Sequence, residues 1–465
     1  MKCLLLLPDG VGVRNFVFGG FLHRLANNGG ATALHTIPDE LVPRIGASVN
    51  GSVDWMALKT YRQTPLAQTL LYSLLYAQMF WADTQAMRFI RNWPLKGSRK
   101  RRALLRTTKV IGRLAASRGG IRALDAMHCA TVTRMPETGE YRRLLEKVAP
   151  SVLFCSHQRP PDILPPVLAA RSLGIPTATF IFSWDNLSSK GRIAAPFDHY
   201  LVWSEHMRGE LLRYYPDISP DRVHTVGTPQ FDCYADQSVL WPREEFFRRI
   251  GGDPSRRLIC YSGGDTTTCP EDQKHVRILM ELIRSGRIAG NPQVLVRPTP
   301  VDEGSRYAEV RRDFPELLWS RPAWVHAQPG DWMRVIPLPE DMQFLANLTH
   351  HADLNINLGS TMTLDFAVHD KPVVNVAFDV ADPPPFGRPV WEFFYRFEHY
   401  RPVVELGAAR FARSPGQLAE HINAYLADPT LDCEGRRRLV DLELSVPIGQ
   451  STDRTLQVLQ KIARS

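Results

Sequence analysis

The stretch DLNINLGSTMTLDFAVHDKPVVNVAFD, residues 353–379, decides how this chain folds. Two short apolar runs, DLNINLGS (353–360) and PVVNVAFD (372–379), flank a helical segment, STMTLDFAVHDK. Runs of this kind are the pattern of parallel strands covered on both faces. Gly359, Ser360 and Thr361 end the first strand and open the helix. Backbone N–H groups at a helix start, with two hydroxyls beside them, suit a phosphate or diphosphate. Asp365 follows one turn later, where a carboxylate can accept both hydroxyls of a ribose. A purely structural reading is also open, with Ser360 a helix cap and Asp365 an acid near the positive end of the helix dipole.

The same alternation extends outward. RLICYSG (257–263), QVLVRPTP (293–300) and MRVIPLP (333–339) read as further strands of this half, and the tail from about 416 reads as helix broken at VPIG. An equivalent series opens the chain: KCLLLLP (2–8), a glycine turn, the helically spaced RNFVFGGFLHRLANNGG, then ATALHTIP (31–38). SVLFCS (151–156), TATFIFS (177–183), HYLVWS (199–204) and RVHTVG (222–227) continue it. Residues 54–148 interrupt the alternation and read as a helical insertion. Residues 236–256 lack strand pattern and read as a linker. The 465 residues exceed the roughly 250–300 at which a single core stops growing. The expected fold class is therefore α/β: two Rossmann-like domains, 1–235 and 257–465, facing each other across a cleft, with the final helix a candidate to return to the first. Open sheets of this kind bind ligands beyond the carboxyl ends of their strands.

Composition excludes several classes. Hydrophobic residues make up 44% and charged residues 22%, ordinary for a globular protein and wrong for a disordered chain or a small disulfide scaffold. The seven cysteines form no CxxC pair and sit partly in apolar runs, which fits a reducing cytosol. The N-terminal apolar run is about five residues, short of the 7–15 of a signal peptide, and Pro8 ends it. No apolar run reaches the 18 residues of a membrane span. HxxxH, HExxH and CxxC spacings are absent, so no metal site is expected.

The pattern GSTMTLDFAVHDKPVV followed by Asp379 resembles the C-terminal half of CDP-glycerol glycerophosphotransferases and related surface-polysaccharide glycosyltransferases of the GT-B fold. The resemblance implies that Asp365 holds the donor ribose and that the helix start at Ser360 and Thr361 faces the donor diphosphate. VGTPQFD (226–232) is similar to the segment that closes the N-terminal domain in these enzymes. VLVRPTP (294–300) is similar to their arginine-containing strand end, which would make Arg297 a phosphate clamp with bidentate geometry. Relatives often carry histidine where this chain has Thr299. Ser262-Gly263-Gly264-Asp265 ends the first strand of this half and reads either as a backbone cradle for the diphosphate or as a plain turn.

The N-terminal half offers three candidate bases. FIFSWDNLSSKG (180–191) follows a strand and stands where relatives have a histidine-containing loop. Asp185 can take a proton from an acceptor hydroxyl if burial raises its pKa, with Trp184 and Asn186 on the acceptor side. Asp185 and Asn186 equally suit an Asx-type turn. Asp9, in the first strand–helix turn with Arg14 and Asn15, is a second candidate, and Arg14 can meet an anionic group. His157, after SVLFCS, is a third, against the commoner reading of a strand-end histidine as a structural hydrogen-bonder.

Positive charge is concentrated. From Arg91 to Arg122, eleven residues are Lys or Arg and none is acidic, within a net charge of +8. Such a stretch is either a solvated helix face or a docking surface for an anionic membrane or lipid-linked acceptor. No nucleic-acid module accompanies it. The expected function is a metal-independent glycosyltransferase, cytoplasmic or peripheral on the inner membrane face, moving sugar from a nucleotide-activated donor to a surface glycan or lipid-linked acceptor, with no cofactor beyond that donor. The alternatives are a CDP-glycerol/ribitol-type polyol-phosphate transferase and a nucleotide-sugar 2-epimerase-like enzyme. An epimerase requires carboxylates and a histidine around the sugar ring.

Overall fold

Cys3–Leu7 (β1) is buried over all five residues, because its apolar run lies between neighbouring strands and under helices on both faces. In the computed structural model, which describes residues 1–27, 29–266, 268–326, 335–381 and 389–464, it is the third strand of a seven-stranded parallel sheet. The others are Ala31–His35 (β2), Val53–Ala57 (β3), Val152–Cys155 (β4), Thr177–Phe180 (β5), His199–Val202 (β6) and Val223–Thr225 (β7), in the order β3-β2-β1-β4-β5-β6-β7. The switch in winding lies between β1 and β4. Cys3 is in register with Val152 there, and Leu6 with Cys155. Four aromatic rings close the core beside this pair: Phe16 meets Phe21, Phe154 and Phe180 edge-on, at centroid distances of 5.4, 5.2 and 5.2 Å.

This sheet belongs to a compact unit formed by 1–230, 397–399 and 443–465. The returning tail supplies the helix Ser451–Ile462, whose Thr452 hydroxyl donates to the Gly19 carbonyl at 3.2 Å. The insertion between β3 and β4 is helical as expected: Pro65–Ala82, Gln85–Arg91, Arg99–Leu114, Arg118–Thr133 and Pro136–Val148. Its first residues differ from expectation. Val53–Ala57 is the edge strand β3, in which Val53 and Trp55, half-buried, alternate with the exposed Asp54 and Met56. Gly112 lets the basic helix Arg99–Leu114 lie directly on Pro65–Ala82, since a Cβ there would stand 2.6 Å from Tyr76 Cβ and 2.8 Å from the Ser73 carbonyl.

The second unit, 231–396 and 400–442, has its own parallel sheet. Leu258–Ser262 (β8), Gln293–Arg297 (β9), Leu318–Trp319 (β10), Leu354–Asn357 (β13), Val373–Val376 (β14) and Arg410–Ala412 (β15) run in the order β10-β9-β8-β13-β14-β15. Its core joins Ile259, Val276, Val294, Ile356 and Val374. The expected strand 333–339 appears as Val335–Pro337 (β12), its first two residues lying outside the described set. It pairs antiparallel with Trp324–His326 (β11) in a separate two-stranded ribbon. Residues 236–256, read as a linker, carry the helix Arg243–Ile250 within this unit, with Phe246 and Phe247 buried. Both units are thus Rossmann-like α/β assemblies. Among the described residues, no helix is long and apolar enough to cross a membrane.

The burial pattern makes a direct prediction. Leu5→Ala, at the fully buried centre of β1, costs about 2–5 kcal/mol in chemical denaturation. Leu114→Ala, at an 83% exposed position, changes stability by less than about 0.5 kcal/mol.

Candidate active site

The carboxyl ends of β1 and β4 are adjacent, and each is followed by a polar residue that turns inward. Asp9 and His157 are 2% and 3% exposed, and their side chains meet, His157 Nδ1 donating to Asp9 Oδ2. The other carboxylate oxygen, Oδ1, accepts from the Gly12 N–H at 2.7 Å, so Asp9 also caps the short helix Gly10–Val13. Gly12 is required by this packing, because a Cβ there would run into the Ser156 hydroxyl. Phe182 stacks on the imidazole at 4.0 Å and 15°, fixing its plane. The remaining ring nitrogen, Nε2, is buried with no hydrogen-bond partner among the described residues.

Burial opposes the Asp9 charge, but His157 and the N–H groups of Gly12 and Val11 outweigh it and hold the carboxyl below its ordinary pKa. Burial, joined by the nearby Arg159 cation, pushes His157 below its ordinary pKa against the opposing pull of Asp9 and Asp185. At neutral pH the pair is a carboxylate beside a neutral imidazole whose free lone pair is on Nε2. That is the electronic state of a general base.

Asp185 lies nearby, after β5. Its Oδ1 accepts from Asn186 Nδ2 at 3.0 Å, its Oδ2 from the Ser189 hydroxyl at 3.1 Å, and Lys190 Nζ stands 3.3 Å away. Burial alone would raise this carboxyl, but Lys190 and hydrogen bonds from Ser183 and Asn186 hold it well below the carboxylate range. His399 beside it is pushed by burial to about 4, so the charge that matters is on Lys190. This corrects the expectation of a raised pKa: Asp185 is a fixed anion. Trp184 and Asn186, expected on the acceptor side, are 3% exposed and build its frame. Trp184 meets His399 edge-on at 5.6 Å, and Asn186 accepts from Gln158 at 3.1 Å. Arg14 bonds Asn15 Oδ1 at 3.1 Å and Gln230 Oε1 at 2.8 Å, and Asn15 is buried.

In the second unit, the turn after β13 is set by a ladder of buried asparagines. Asn355 Nδ2 donates to the Ser262 hydroxyl at 2.8 Å, Asn357 Nδ2 to Asn355 Oδ1 at 2.7 Å, and Asn375 Nδ2 to Asn357 Oδ1 at 2.9 Å. Asn357 Oδ1 also accepts the Ser360 N–H at 3.0 Å, so three neighbouring strands orient the Gly359–Thr361 turn. The Ser360 hydroxyl accepts the Met362 N–H at 3.2 Å at the start of the helix Met362–Val368. Asp365 on that helix is 2% exposed, and its Oδ1 accepts the Tyr234 hydroxyl at 2.5 Å.

Arg297 ends β9 and is 7% exposed. Its Nη2 donates to Asp341 at 2.8 Å, whose other oxygen accepts from Trp324 at 2.7 Å, while Nη1 is buried with no partner among the described residues. Gly263 and Gly264 direct their N–H groups inward, to the Arg297 carbonyl at 2.9 Å and to Asp272 at 2.7 Å. Asp265 closes its own turn on Thr268 at 2.9 Å. The N–H donors of Gly263 and Gly264 are thus engaged within the turn and do not form an open cradle. Among the described residues, no cluster of three or more His, Cys, Asp or Glu side chains is arranged to hold a metal ion.

Sequence reasoning ranked Asp9 and His157 as rivals and missed that they are partners. The signal was the order of strands, which brings β1 beside β4. Arg159 was also missed: it lies within electrostatic reach of both Asp185 and Asp9. Asp341 was missed because nothing local in the helix Pro339–His351 marks its partner.

No family model and no curated relative matches this sequence. Solved structures do. A UDP-GlcNAc 2-epimerase from Neisseria meningitidis bound to UDP-GlcNAc is similar over 99% of this chain and 100% of its own, with a TM-score of 0.55 at 10% identity. A putative UDP-N-acetylglucosamine 2-epimerase from Listeria monocytogenes is similar over 99% and 96%, at 0.54 and 10%. A glycosyltransferase from Rickettsia africae is similar over 99% and 98%, at 0.51 and 10%. At such identity the likeness establishes the fold, which is the GT-B type, and does not bear out the narrower resemblance to CDP-glycerol transferases.

The buried pair has a measurable consequence. A folded-state pKa below the ordinary 6.5 means that the unfolded chain protonates His157 first as pH falls. The fold therefore loses stability below about pH 6.5, at up to about 1.4 kcal/mol per pH unit per proton. Denaturation between pH 7 and pH 5 should show a shallower loss in His157→Gln than in the parent protein; equal slopes would contradict the assignment.

Proposed function

We propose that this chain is an enzyme acting on a nucleotide-activated sugar, and that it inverts a carbon of that sugar in the manner of a nucleotide-sugar 2-epimerase. The observation that carries the reading is His157 Nε2, buried and with no hydrogen-bond partner among the described residues, on a ring oriented by Asp9. Inversion at a carbon bearing hydrogen needs a base to take the proton from one face and an acid to return one on the other. His157 is suited to take it. The carboxylate of Asp9 then stabilises the imidazolium that forms, and Asp185, whose charge reaches His157, adds to that stabilisation. Two carboxylates and a histidine are gathered in one unit, as this chemistry requires.

The second unit supplies the binding half of the reading. Asp365 is assigned to the ribose, the Ser360–Thr361 turn to the diphosphate, and the unpartnered Arg297 Nη1 to a phosphate oxygen. Gly263, Gly264 and Asp265 are left to their turn. No metal or further cofactor enters: the nucleotide sugar is the substrate. Support comes from the fold neighbours, which are mainly UDP-GlcNAc 2-epimerases, one of them holding UDP-GlcNAc. The glycosyltransferase reading stands second, favoured by the Rickettsia africae neighbour and by the ability of the same base to deprotonate an acceptor hydroxyl.

The basic helix supports a peripheral location on an anionic membrane. Along Arg99–Leu114, Val110 (60% exposed) and Leu114 lie on one outward face with Arg99, Lys100, Arg106 and Arg113 around them. Apolar residues ringed by uncompensated cations suit a headgroup layer. Binding to vesicles containing phosphatidylglycerol should fall as salt rises and be absent on neutral vesicles; equal binding to both would remove the electrostatic account.

Incubation with UDP-GlcNAc in deuterium oxide tests the reaction. The epimerase reading expects a new epimer carrying deuterium at sugar carbon 2, slowed about 10²–10⁴-fold in His157→Gln with UDP-GlcNAc binding retained. UDP release that depends on an added acceptor, without exchange at carbon 2, assigns the chain to the transferases.

A further inference from the structure

A cavity of about 410 Å³ opens in the first unit, between the inserted helices Pro65–Ala82 and Arg118–Thr133 and the segment 192–198. Its volume is in the range of small-molecule sites. Neither Asp9 nor His157 lines it, and the proposed reaction has no use for it.

Five arginines and three aspartates line this space. Three of the arginines have firm partners. Arg118 Nε donates to Asp217, Arg171 to Asp198 at 2.9 Å, and Arg192 to Asp125 at 2.9 Å. The other two do not. Arg122 approaches Asp217 only to 3.8 Å, and Arg222 approaches Asp221 only to 3.7 Å, with a long 3.5 Å contact to His199. Both are about half exposed or more, at 65% and 48%, so their donors remain available. The cavity therefore presents two guanidinium groups with donors to give and no matching excess of acid. Aromatic residues also line it: Trp81, 38% exposed, beside the buried Phe197, Tyr214 and Tyr215. Arg192 packs on the face of the Tyr215 ring at 5.8 Å, which keeps that ring in place.

Guanidinium forks match the oxygens of a phosphate or carboxylate, and aromatic faces match the C–H face of a sugar ring. We infer that this cavity is a second binding site, separate from the Asp9–His157 site, for a saccharide carrying a phosphate or carboxylate. Arg122 and Arg222 bind the anionic group, and Trp81 carries the ring. A smaller space of about 50 Å³ shares Asp125, Arg192 and Ile193 with the cavity and reaches Arg159. Arg159 in turn lies within electrostatic reach of Asp9 and Asp185.

The inference rests on the cavity alone and not on the proposed reaction. Saturation-transfer NMR on the full chain tests it, with glucose 1-phosphate as probe and excess UDP present to fill any nucleotide site. The expected result is transfer to the sugar protons that persists under UDP and in His157→Gln. It should drop at least five-fold in the double variant Arg122→Ala/Arg222→Ala, whose two positions are exposed enough to leave folding intact, and similarly in Trp81→Ala. Glucose should give little signal. Loss of the signal under UDP, an unchanged signal in the double variant, or an equal signal from glucose would each overturn the proposal. Displacement of the probe by an equal concentration of inorganic phosphate would overturn the saccharide assignment and leave a simple anion site.

Discussion

The contact between Asp9 and His157 organises the first unit. It exists because β1 and β4, distant in sequence, are neighbours in the sheet and end in register. An uncompensated carboxylate at 2% exposure would be costly, and so would a protonated imidazole. The structure resolves both by giving Asp9 three donors and leaving His157 neutral. Gly12, Ser156 and Phe182 serve that arrangement, the first by allowing the close approach and the last by fixing the ring plane. What remains is one nitrogen with a free lone pair in a buried setting, a costly state for a structural histidine and a useful one for a base.

The second unit solves a different problem by related means. Buried amides tie the ends of three neighbouring strands, β8, β13 and β14, together beside the Gly359–Thr361 turn. Asn355, Asn357 and Asn375 are each fully buried, and each is satisfied by the next, so the Gly359–Thr361 turn inherits the rigidity of the sheet. Removing one member strands its partners, which makes the ladder a positioning device with a high penalty for error. Arg297 is treated differently. One of its terminal nitrogens is anchored to Asp341 and the other is left unpaired, the arrangement of an arginine oriented before its ligand arrives.

Much of the fold was legible in the sequence because parallel strands buried on both faces are short apolar runs. KCLLLLP, SVLFCS and PVVNVAFD all became strands. The edge strand β7 was legible as RVHTVG, whereas the other edge strands escaped: β3 alternates polar and apolar residues with Asp54 exposed, and β10 and β15 are only two and three residues long. The site was legible as a set of residues and illegible as a set of contacts. Asp9 and His157 were both visible at strand ends, but their partnership depends on strand order. Asp185 was expected to be raised by burial, and it is burial that makes the nearby Lys190 so effective in lowering it. Gly263 and Gly264 had the composition of a phosphate loop, and only the three-dimensional partners Asp272 and Arg297 show where their N–H groups point.

The central claim concerns one ring in one protonation state. Nitrogen-15 NMR on protein carrying labelled histidine, with the His157 signals assigned by their loss in His157→Gln, reads that state directly. The account predicts a ring that at pH 7 is mainly neutral, with the proton on Nδ1 and a bare Nε2, and that at about pH 6.5, where an ordinary histidine is half charged, is still more neutral than charged. A proton on Nε2, or a ring that is half charged at pH 6.5, would contradict it.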